Sequence, residues 1–179
     1  MPYNLLNTIF LIGYMGAGKS AIGKSLSKNN GYKFYDLDKY IEEKEGRKIS
    51  EIFNHNNEVY FRKIENSYLK EISLIKENKI ISTGGGTPCF QNNFEIIDNL
   101  PNSLSVYLKA SVETLAARLK DSIEERPLIS RLQDPLQLKE FITKHLFERS
   151  FYYEKSKFKV KTDGLDINTI VNLIGKLST

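Results

Sequence analysis

The residues from Gly13 to Ser20 have the types and spacing needed to bind phosphate. Their sequence, GYMGAGKS, matches the pattern G-x-x-x-x-G-K-[ST], and the apolar run Ile9–Ile12 precedes it as a strand would. Glycines let the backbone turn so that successive N–H groups point at the phosphates, and the following helix adds the positive end of its dipole. Lys19 would reach the β- and γ-phosphates and Ser20 a metal ion. The alternative is an ordinary glycine turn that opens a helix.

Other motifs narrow the class of nucleotide-binding protein. A GTPase would show N-K-x-D for the base, but Asn78-Lys79-Ile80-Ile81 has isoleucine where the aspartate should be. A motor or transport ATPase would be longer and would end an apolar strand in a carboxylate on the metal side. The carboxylates at a strand end here are Asp36 and Asp38. We expect them to alternate along that strand, so that their side chains point in different directions.

The elements that must position these residues follow a repeating pattern. Short apolar runs alternate with longer amphipathic stretches, which predicts an α/β fold in which helices cover a parallel sheet of five strands. We expect one domain over residues 1–179 and a polar insertion over Lys120–Asp134. The predicted strands are Thr8–Ile12, Lys33–Tyr35, Lys79–Ser82, Ser103–Leu108 and Phe158–Val160.

Two of the predicted helices carry a stripe of apolar residues toward the core. The helix from about Asn57 to Lys76 has a stripe at spacings of three and four. A second stripe, from Leu138 onward, ends at Arg149, and a cation that continues a buried stripe needs a partner. The first stripe consists of Phe61, Ile64, Tyr68, Ile72 and Ile75.

Composition excludes several classes of function. The net charge is +4, but basic and acidic residues alternate along the chain, which indicates a mixed surface rather than a nucleic-acid stripe. One cysteine, Cys89, and two histidines leave no cluster spaced for zinc or iron. The apolar run Leu5–Ile12 is too short to span a bilayer. We therefore expect a cytoplasmic protein, a monomer that binds neither nucleic acid nor membrane.

From Gly13 onward the landmarks of the chain resemble, in order and almost end to end, those of the shikimate kinase family. The departures are Phe151, where the family often has proline, and Thr87-Pro88-Cys89, where small or branched apolar residues are commoner. After the glycine loop, the matching segments are Asp36-Leu37-Asp38, Gly46-Arg47, Ile49–Phe53, Phe61–Glu65, Ile81–Gly86, Arg126–Leu128, Leu146–Arg149 and Tyr153-Glu154.

The resemblance implies a three-layer P-loop kinase fold whose lid is the insertion at about residues 120–134. It also implies an enzyme that transfers the γ-phosphate of ATP to the 3-hydroxyl of shikimate, in the pathway to chorismate and the aromatic amino acids, with Mg²⁺ as cofactor. The catalytic residues would be Asp38, the base, and Lys19. Ser20 and Asp36 would support the metal. ATP would be bound by Gly16, Ala17, Gly18, Lys19, Ser20, Ala21, Arg118 and Arg126, and shikimate by Asp38, Arg62, Gly84, Gly85, Gly86 and Arg149.

These roles fit the chemistry, since a planar guanidinium grips a carboxylate such as that of shikimate with two parallel hydrogen bonds. Each role has an ordinary alternative. The aspartates could cap the next helix, Arg62 could pair with Glu58 on the surface, the three glycines could form a sharp turn, and Arg118 could be a solvated helix residue.

Two other functions stay open at this point. A P-loop kinase could act on another small acceptor, such as gluconate or a nucleoside monophosphate. A nucleotide-gated binding protein could hold ATP without transferring its phosphate, but it would have no use for a base such as Asp38.

Overall fold

The computed structural model describes residues 6–120, 129, 132 and 134–177. Its centre is a sheet of five parallel strands in the order β2-β3-β1-β4-β5. The prediction of a parallel five-stranded sheet is confirmed, and each predicted strand agrees with the observed one to within one residue at either end. The strands are β1 (Thr8–Ile12), β2 (Lys33–Asp36), β3 (Lys79–Ser82), β4 (Ser103–Lys109) and β5 (Phe158–Lys161).

The inner strands are buried almost completely, which explains why they could be found from their apolar runs. All of β1 and β3 is buried, and only the last residue of β4 is exposed. Helices connect the strands and pack on the sheet and on one another. They are α1 (Lys19–Asn30), α2 (Leu37–Glu45), α3 (Ile49–Asn56), α4 (Glu58–Ser73), α5 (Asn93–Asn99), α6 (Val112–Lys120), α7 (Pro135–Tyr153) and α8 (Ile167–Gly175), with a short 3₁₀ turn at Thr87–Cys89.

The start of α2 corrects the expectation for the two aspartates. Strand β2 ends at Asp36, whose carboxylate accepts a hydrogen bond from the Lys39 backbone N–H at 3.4 Å and so caps α2. Asp38 therefore lies in the first turn of the helix and does not alternate with Asp36 along a strand. The cap thus ends the strand at the first aspartate of the D-x-D pattern, and the second belongs to the helix.

The buried face of α4 also differs from the predicted stripe. Phe61 and Ile72 are buried as expected, whereas Ile64 and Tyr68 are half-buried. The face is turned toward Leu69 and toward two polar residues, Glu65 and Asn66, which are also buried. Polar side chains can lie there because they are hydrogen-bonded, Glu65 to Arg62 and Thr87, and Asn66 to Asn92 and Asn93.

The predicted lid lies mostly outside the described residues, and Arg126 is among the residues that are not described. None of the helices in the described ranges combines the length and the apolar character needed to cross a membrane.

Candidate active site

The phosphate-binding loop leaves the carboxyl end of β1, the central strand. Gly13, Gly16 and Gly18 all have positive φ angles, of 149°, 82° and 92°. Side chains rarely adopt these angles, and a Cβ on Gly13 would lie 2.8 Å from the carbonyl oxygen of Leu108. Helix α1 begins at Lys19 behind Gly18, with no side chain capping its first turn. The backbone therefore presents a helix N-terminus at this end of the sheet, as the motif predicted.

Lys19 lies across the loop that precedes it. Its ammonium group donates hydrogen bonds to the carbonyl oxygens of Gly13 at 2.8 Å and Tyr14 at 2.9 Å, and the residue is only 9% exposed. Ala17, within the same loop, is buried, while Ala21 is exposed on the first turn of α1. The loop thus holds the lysine in place through its own backbone.

Ser20 and Asp36 are brought together from two elements. The Ser20 hydroxyl, in the first turn of α1, donates a hydrogen bond of 2.6 Å to the carboxylate of Asp36 at the end of β2. Asp36 thus makes this contact as well as capping α2, so the capping alternative and the proximity to Ser20 are both observed.

Arg118 reaches the loop from α6. Its guanidinium donates to the carbonyl oxygen of Gly16 at 3.2 Å, although the side chain is exposed. The arginine is therefore not simply solvated, and it lies beside the glycines that would face the nucleotide.

Asp38, in the first turn of α2, has several other carboxylates nearby. Burial is the largest of the effects that raise the pKa of its carboxyl to about 7, and the charges of Asp36, Glu65 and Glu42 add to it. The positive charge of Lys19 opposes this rise. A carboxylate with a pKa near neutrality is suited to accept a proton.

Arg62 is held by two carboxylates of its own helix. It donates to Glu65 at 2.9 Å and to Glu58 at 3.1 and 3.2 Å, so the pairing with Glu58 that stood as its alternative role is present. Its guanidinium also lies 3.8 Å from the ring centroid of Phe90 and fills the space where a Cβ of Gly86 would be. Since its side chain is only 12% exposed, Arg62 is not a plain surface residue.

Arg149 approaches the same region from α7. It is half-buried, and its guanidinium lies 5.8 Å from the ring centroid of Tyr14 in the phosphate loop. Burial raises the pKa of the Cys89 thiol to about 11, while the charges of Arg149 and Arg62 both act in the opposite direction. The two arginines thus lie on different helices, but the positive charges of both lower the pKa of the same thiol.

The three glycines after β3 connect these groups. A Cβ on Gly84 would lie 2.9 Å from the Asp38 carboxylate, and one on Gly86 would lie 2.8 Å from the Arg62 guanidinium. A Cβ on Gly85 would lie 3.2 Å from the backbone nitrogen of Met15 in the phosphate loop. The glycine segment thus brings the loop, the carboxylate and the guanidinium together.

The residue patterns did not assign a role to several groups at this site. Glu65 is 1% exposed and binds Arg62 and Thr87, and the Tyr14 hydroxyl lies 3.3 Å from Nδ1 of His145. A glutamate three residues after a functional arginine was a usable signal for Glu65. The contact between Tyr14 and His145 joins residues 131 positions apart, so local patterns do not reveal it.

Comparison with known proteins gives a consistent result. The family model described as Shikimate kinase matches residues 15–177. The shikimate kinase of Flavobacterium johnsoniae is 46% identical over 166 residues, which cover 93% of this chain and 95% of the relative.

Solved structures agree with the sequence comparison. The shikimate kinase of Bacteroides thetaiotaomicron superposes with a TM-score of 0.88 at 34% identity, over 95% of this chain and 97% of that one. The shikimate kinase of Acinetobacter baumannii, in complex with shikimate, has a TM-score of 0.87 at 29% identity, over 98% and 94% of the two chains. The resemblance inferred from the motifs is confirmed, and this chain belongs to the shikimate kinase family.

Proposed function

We propose that this protein transfers the γ-phosphate of ATP to the 3-hydroxyl of shikimate, producing shikimate 3-phosphate and ADP. Membership of the family supports the activity. The observation that carries the assignment of roles is the segment Gly84–Gly86, which contacts the phosphate loop, Asp38 and Arg62 within three residues. Phosphate donor and acceptor would therefore meet at this segment.

The phosphate loop and Lys19 would bind and orient ATP. Backbone N–H groups at the start of α1 would point at the phosphates, and Lys19 would exchange its contacts with Gly13 and Tyr14 for contacts with phosphate oxygens. Arg118 would lie beside the nucleotide, and Arg126 would complete this side from the lid. Phosphoryl transfer depends mainly on such positioning and charge neutralisation.

Asp38 would act on the acceptor hydroxyl. As the new bond forms between the hydroxyl oxygen and the γ-phosphorus, the bond from that phosphorus to the β-phosphate oxygen breaks and the hydroxyl proton passes to Asp38. Because its pKa is raised to about 7, the carboxylate holds the proton better than an ordinary aspartate and later releases it to water.

Arg62 and Arg149 would bind the carboxylate of shikimate. Two observations of geometry support this role: the Arg62 guanidinium lies against Gly86, and the Arg149 guanidinium lies 5.8 Å from the ring centroid of Tyr14 in the phosphate loop. The relative from Acinetobacter baumannii was solved in complex with shikimate, which supports the acceptor. The glycines would leave room for the substrate between the arginines and the loop.

The oxygen groups of Ser20 and Asp36 fit a magnesium ion. Mg²⁺ prefers oxygen ligands and is commonly held by one or two protein groups together with waters and substrate phosphates. The Ser20 hydroxyl and the Asp36 carboxylate lie 2.6 Å apart, so both oxygens are available at one point. Bound there, the ion would neutralise phosphate charge, while Ser20 and Asp36 would orient it.

The activity can be tested directly by ADP release with ATP and Mg²⁺ in the presence of shikimate, gluconate or AMP. We expect turnover with shikimate only, and shikimate 3-phosphate as the product. Equal turnover with gluconate or AMP would change the acceptor, and ATP binding without turnover would leave a binding protein.

We also propose a monomer in the cytoplasm, which gel filtration and cell fractionation would check.

A further inference from the structure

Thr87 is a buried hydroxyl beside the site to which the proposed reaction gives no role. It is fully buried, directly follows the three glycines and opens the 3₁₀ turn. Its hydroxyl donates a hydrogen bond of 2.6 Å to Oε1 of Glu65 on α4. A buried hydrogen bond to a charged oxygen is a strong contact, and its loss leaves that oxygen unsatisfied.

The two oxygens of Glu65 have different partners. Oε1 accepts from Thr87, and Oε2 accepts from Arg62 at 2.9 Å. Since Glu65 is 1% exposed, water is a poor substitute for either partner. Thr87 on one oxygen and Arg62 on the other therefore hold the carboxylate in a single orientation, with Oε2 toward the guanidinium.

The backbone of Thr87 is itself held by two hydrogen bonds. Its backbone N–H donates to the carbonyl oxygen of Gly84 at 3.2 Å, and its own carbonyl accepts from the Asn93 side chain at 2.8 Å. Asn93 in turn accepts a hydrogen bond from Asn66 of α4 at 2.7 Å. The backbone of Thr87 is thus fixed in place, and so is the position from which its hydroxyl binds Glu65.

The space around Gly84 shows why this orientation matters. A Cβ at that position would lie 2.9 Å from Asp38 Oδ1, 2.9 Å from the Thr87 hydroxyl and 3.3 Å from Glu65 Oε1. Two carboxylate oxygens thus approach one point, and the hydroxyl is the neutral donor among the three groups. It engages the Glu65 oxygen on the side that faces Asp38.

We propose that Thr87 is a positioning residue for the acceptor, whose hydroxyl locks Glu65 so that Arg62 lies across Gly86 and Phe90. This inference rests on the proposed function, because it gives Arg62 the task of binding the acceptor carboxylate. Thr87 acts through Glu65 and Arg62 and needs no contact with substrate.

The test compares Thr87→Val, which removes the hydroxyl but keeps the branched shape, with Thr87→Ser, which keeps the hydroxyl. We expect Thr87→Val to raise the KM for shikimate roughly fivefold or more while the KM for ATP stays within about twofold. Thr87→Ser should stay close to wild type in both. Calorimetric titration with shikimate alone should show the same weakening without any turnover.

A matched control separates positioning from stability. Thr162 is also fully buried, and its hydroxyl donates to a backbone oxygen, that of Lys109, at 3.3 Å. Thr162→Val should lower the melting temperature and leave the KM for shikimate unchanged. In an Arg62→Ala background, Thr87→Val should lose most of its effect, because the residue through which it acts is absent.

Three results would overturn the proposal: an unchanged KM for shikimate in Thr87→Val, an equal defect in Thr87→Ser, or the same effect in the Arg62→Ala background. If Thr87→Val does not fold, Thr87→Ala removes the same hydroxyl without placing a methyl group against the Glu65 carboxylate, and the same criteria apply. A wild-type protein that does not phosphorylate shikimate would contradict the proposed function instead, so the two failures are distinguishable.

Discussion

The phosphate-binding half of the site consists mainly of backbone groups, whereas the acceptor-binding half consists of charged side chains. The phosphate half is mainly backbone: glycines with positive φ, the N-terminus of α1 and a lysine that rests on carbonyl oxygens of its own loop. The acceptor half is made of charged side chains from α2, α4 and α7: Asp38 and Glu65 lie near one another, Arg62 pairs with Glu65, and Arg149 lies over the ring of Tyr14. Each half should therefore fail in its own way when a residue is changed.

A backbone site serves any ligand that carries the phosphates, whereas a side-chain site selects an acceptor by its charge and shape. Mutations in the phosphate half should reduce turnover for every acceptor. Mutations of the acceptor arginines should change which acceptor is used and how tightly it binds. Asp38 lies at the boundary and should affect transfer without strongly affecting ATP binding.

The largest effect is expected for Asp38→Asn. The amide keeps the shape of the side chain but accepts no proton, so turnover should fall by roughly a thousandfold or more. ATP affinity should stay near wild type, as measured by titration with a fluorescent nucleotide. Retained turnover would limit Asp38 to a structural role in the first turn of α2.

Lys19→Ala should reduce turnover by at least about a hundredfold, on the order of 3 kcal/mol of transition-state stabilisation. The lysine also ties the loop together through Gly13 and Tyr14, so some loss of melting temperature is expected as well. Circular dichroism and ADP release, measured on the same preparation, separate the two effects. Near-normal turnover in a folded variant would contradict the role of the loop.

Truncation of Arg62 or Arg149 to Ala should raise the KM for shikimate tenfold or more, about 1.5–3 kcal/mol for a charge-assisted hydrogen bond, with little change in the KM for ATP. Lys should rescue poorly, because the bidentate geometry is lost. If both grip one carboxylate, the double variant should lose less than the sum of the single losses. Strict additivity would indicate two independent sites.

The smallest effect concerns the stability of the ligand-free protein. The pKa of Asp38 is about 7 in the fold against about 3.9 in an unfolded chain, so the folded protein keeps a proton that the unfolded chain releases. The free energy of unfolding should therefore fall as pH rises from about 4 to about 7, with the loss complete above that range.

Asp38→Asn has no carboxyl to titrate, so its stability relative to wild type should increase across the same pH interval. Urea unfolding at several pH values, without nucleotide or divalent metal, measures the difference. A constant difference between the two proteins would mean that Asp38 titrates as an ordinary aspartate.

The two halves also differ in how far the sequence predicted them. The loop from Gly13 to Ser20 is a local backbone structure, so its pattern was sufficient, and the buried strands were located by their apolar runs. Asp38 was placed on a strand because the pattern does not show that Asp36 caps the helix. The inward position of Arg149 was indicated by the stripe it extends.

The buried face of α4 could not be predicted from periodicity. Glu65 and Asn66 are polar, and they are buried because Thr87, Asn92 and Asn93 from distant segments bind them. Their burial is thus a property of the tertiary structure. Arg62 is not a member of the predicted stripe, and the rotation of the buried face toward Glu65 is what brings it inward.

Only main-chain atoms of the three glycines separate the phosphate half of the site from the acceptor half. Gly85 contacts the phosphate loop while Gly84 and Gly86 contact Asp38 and Arg62, so the spacer between donor and acceptor is one bare polypeptide strand. Because glycine has no side chain, no change of rotamer can alter the width of this spacer. The segment therefore sets the distance between donor and acceptor. A single methyl group would displace Asp38 if added at Gly84, the phosphate loop if added at Gly85, and Arg62 if added at Gly86.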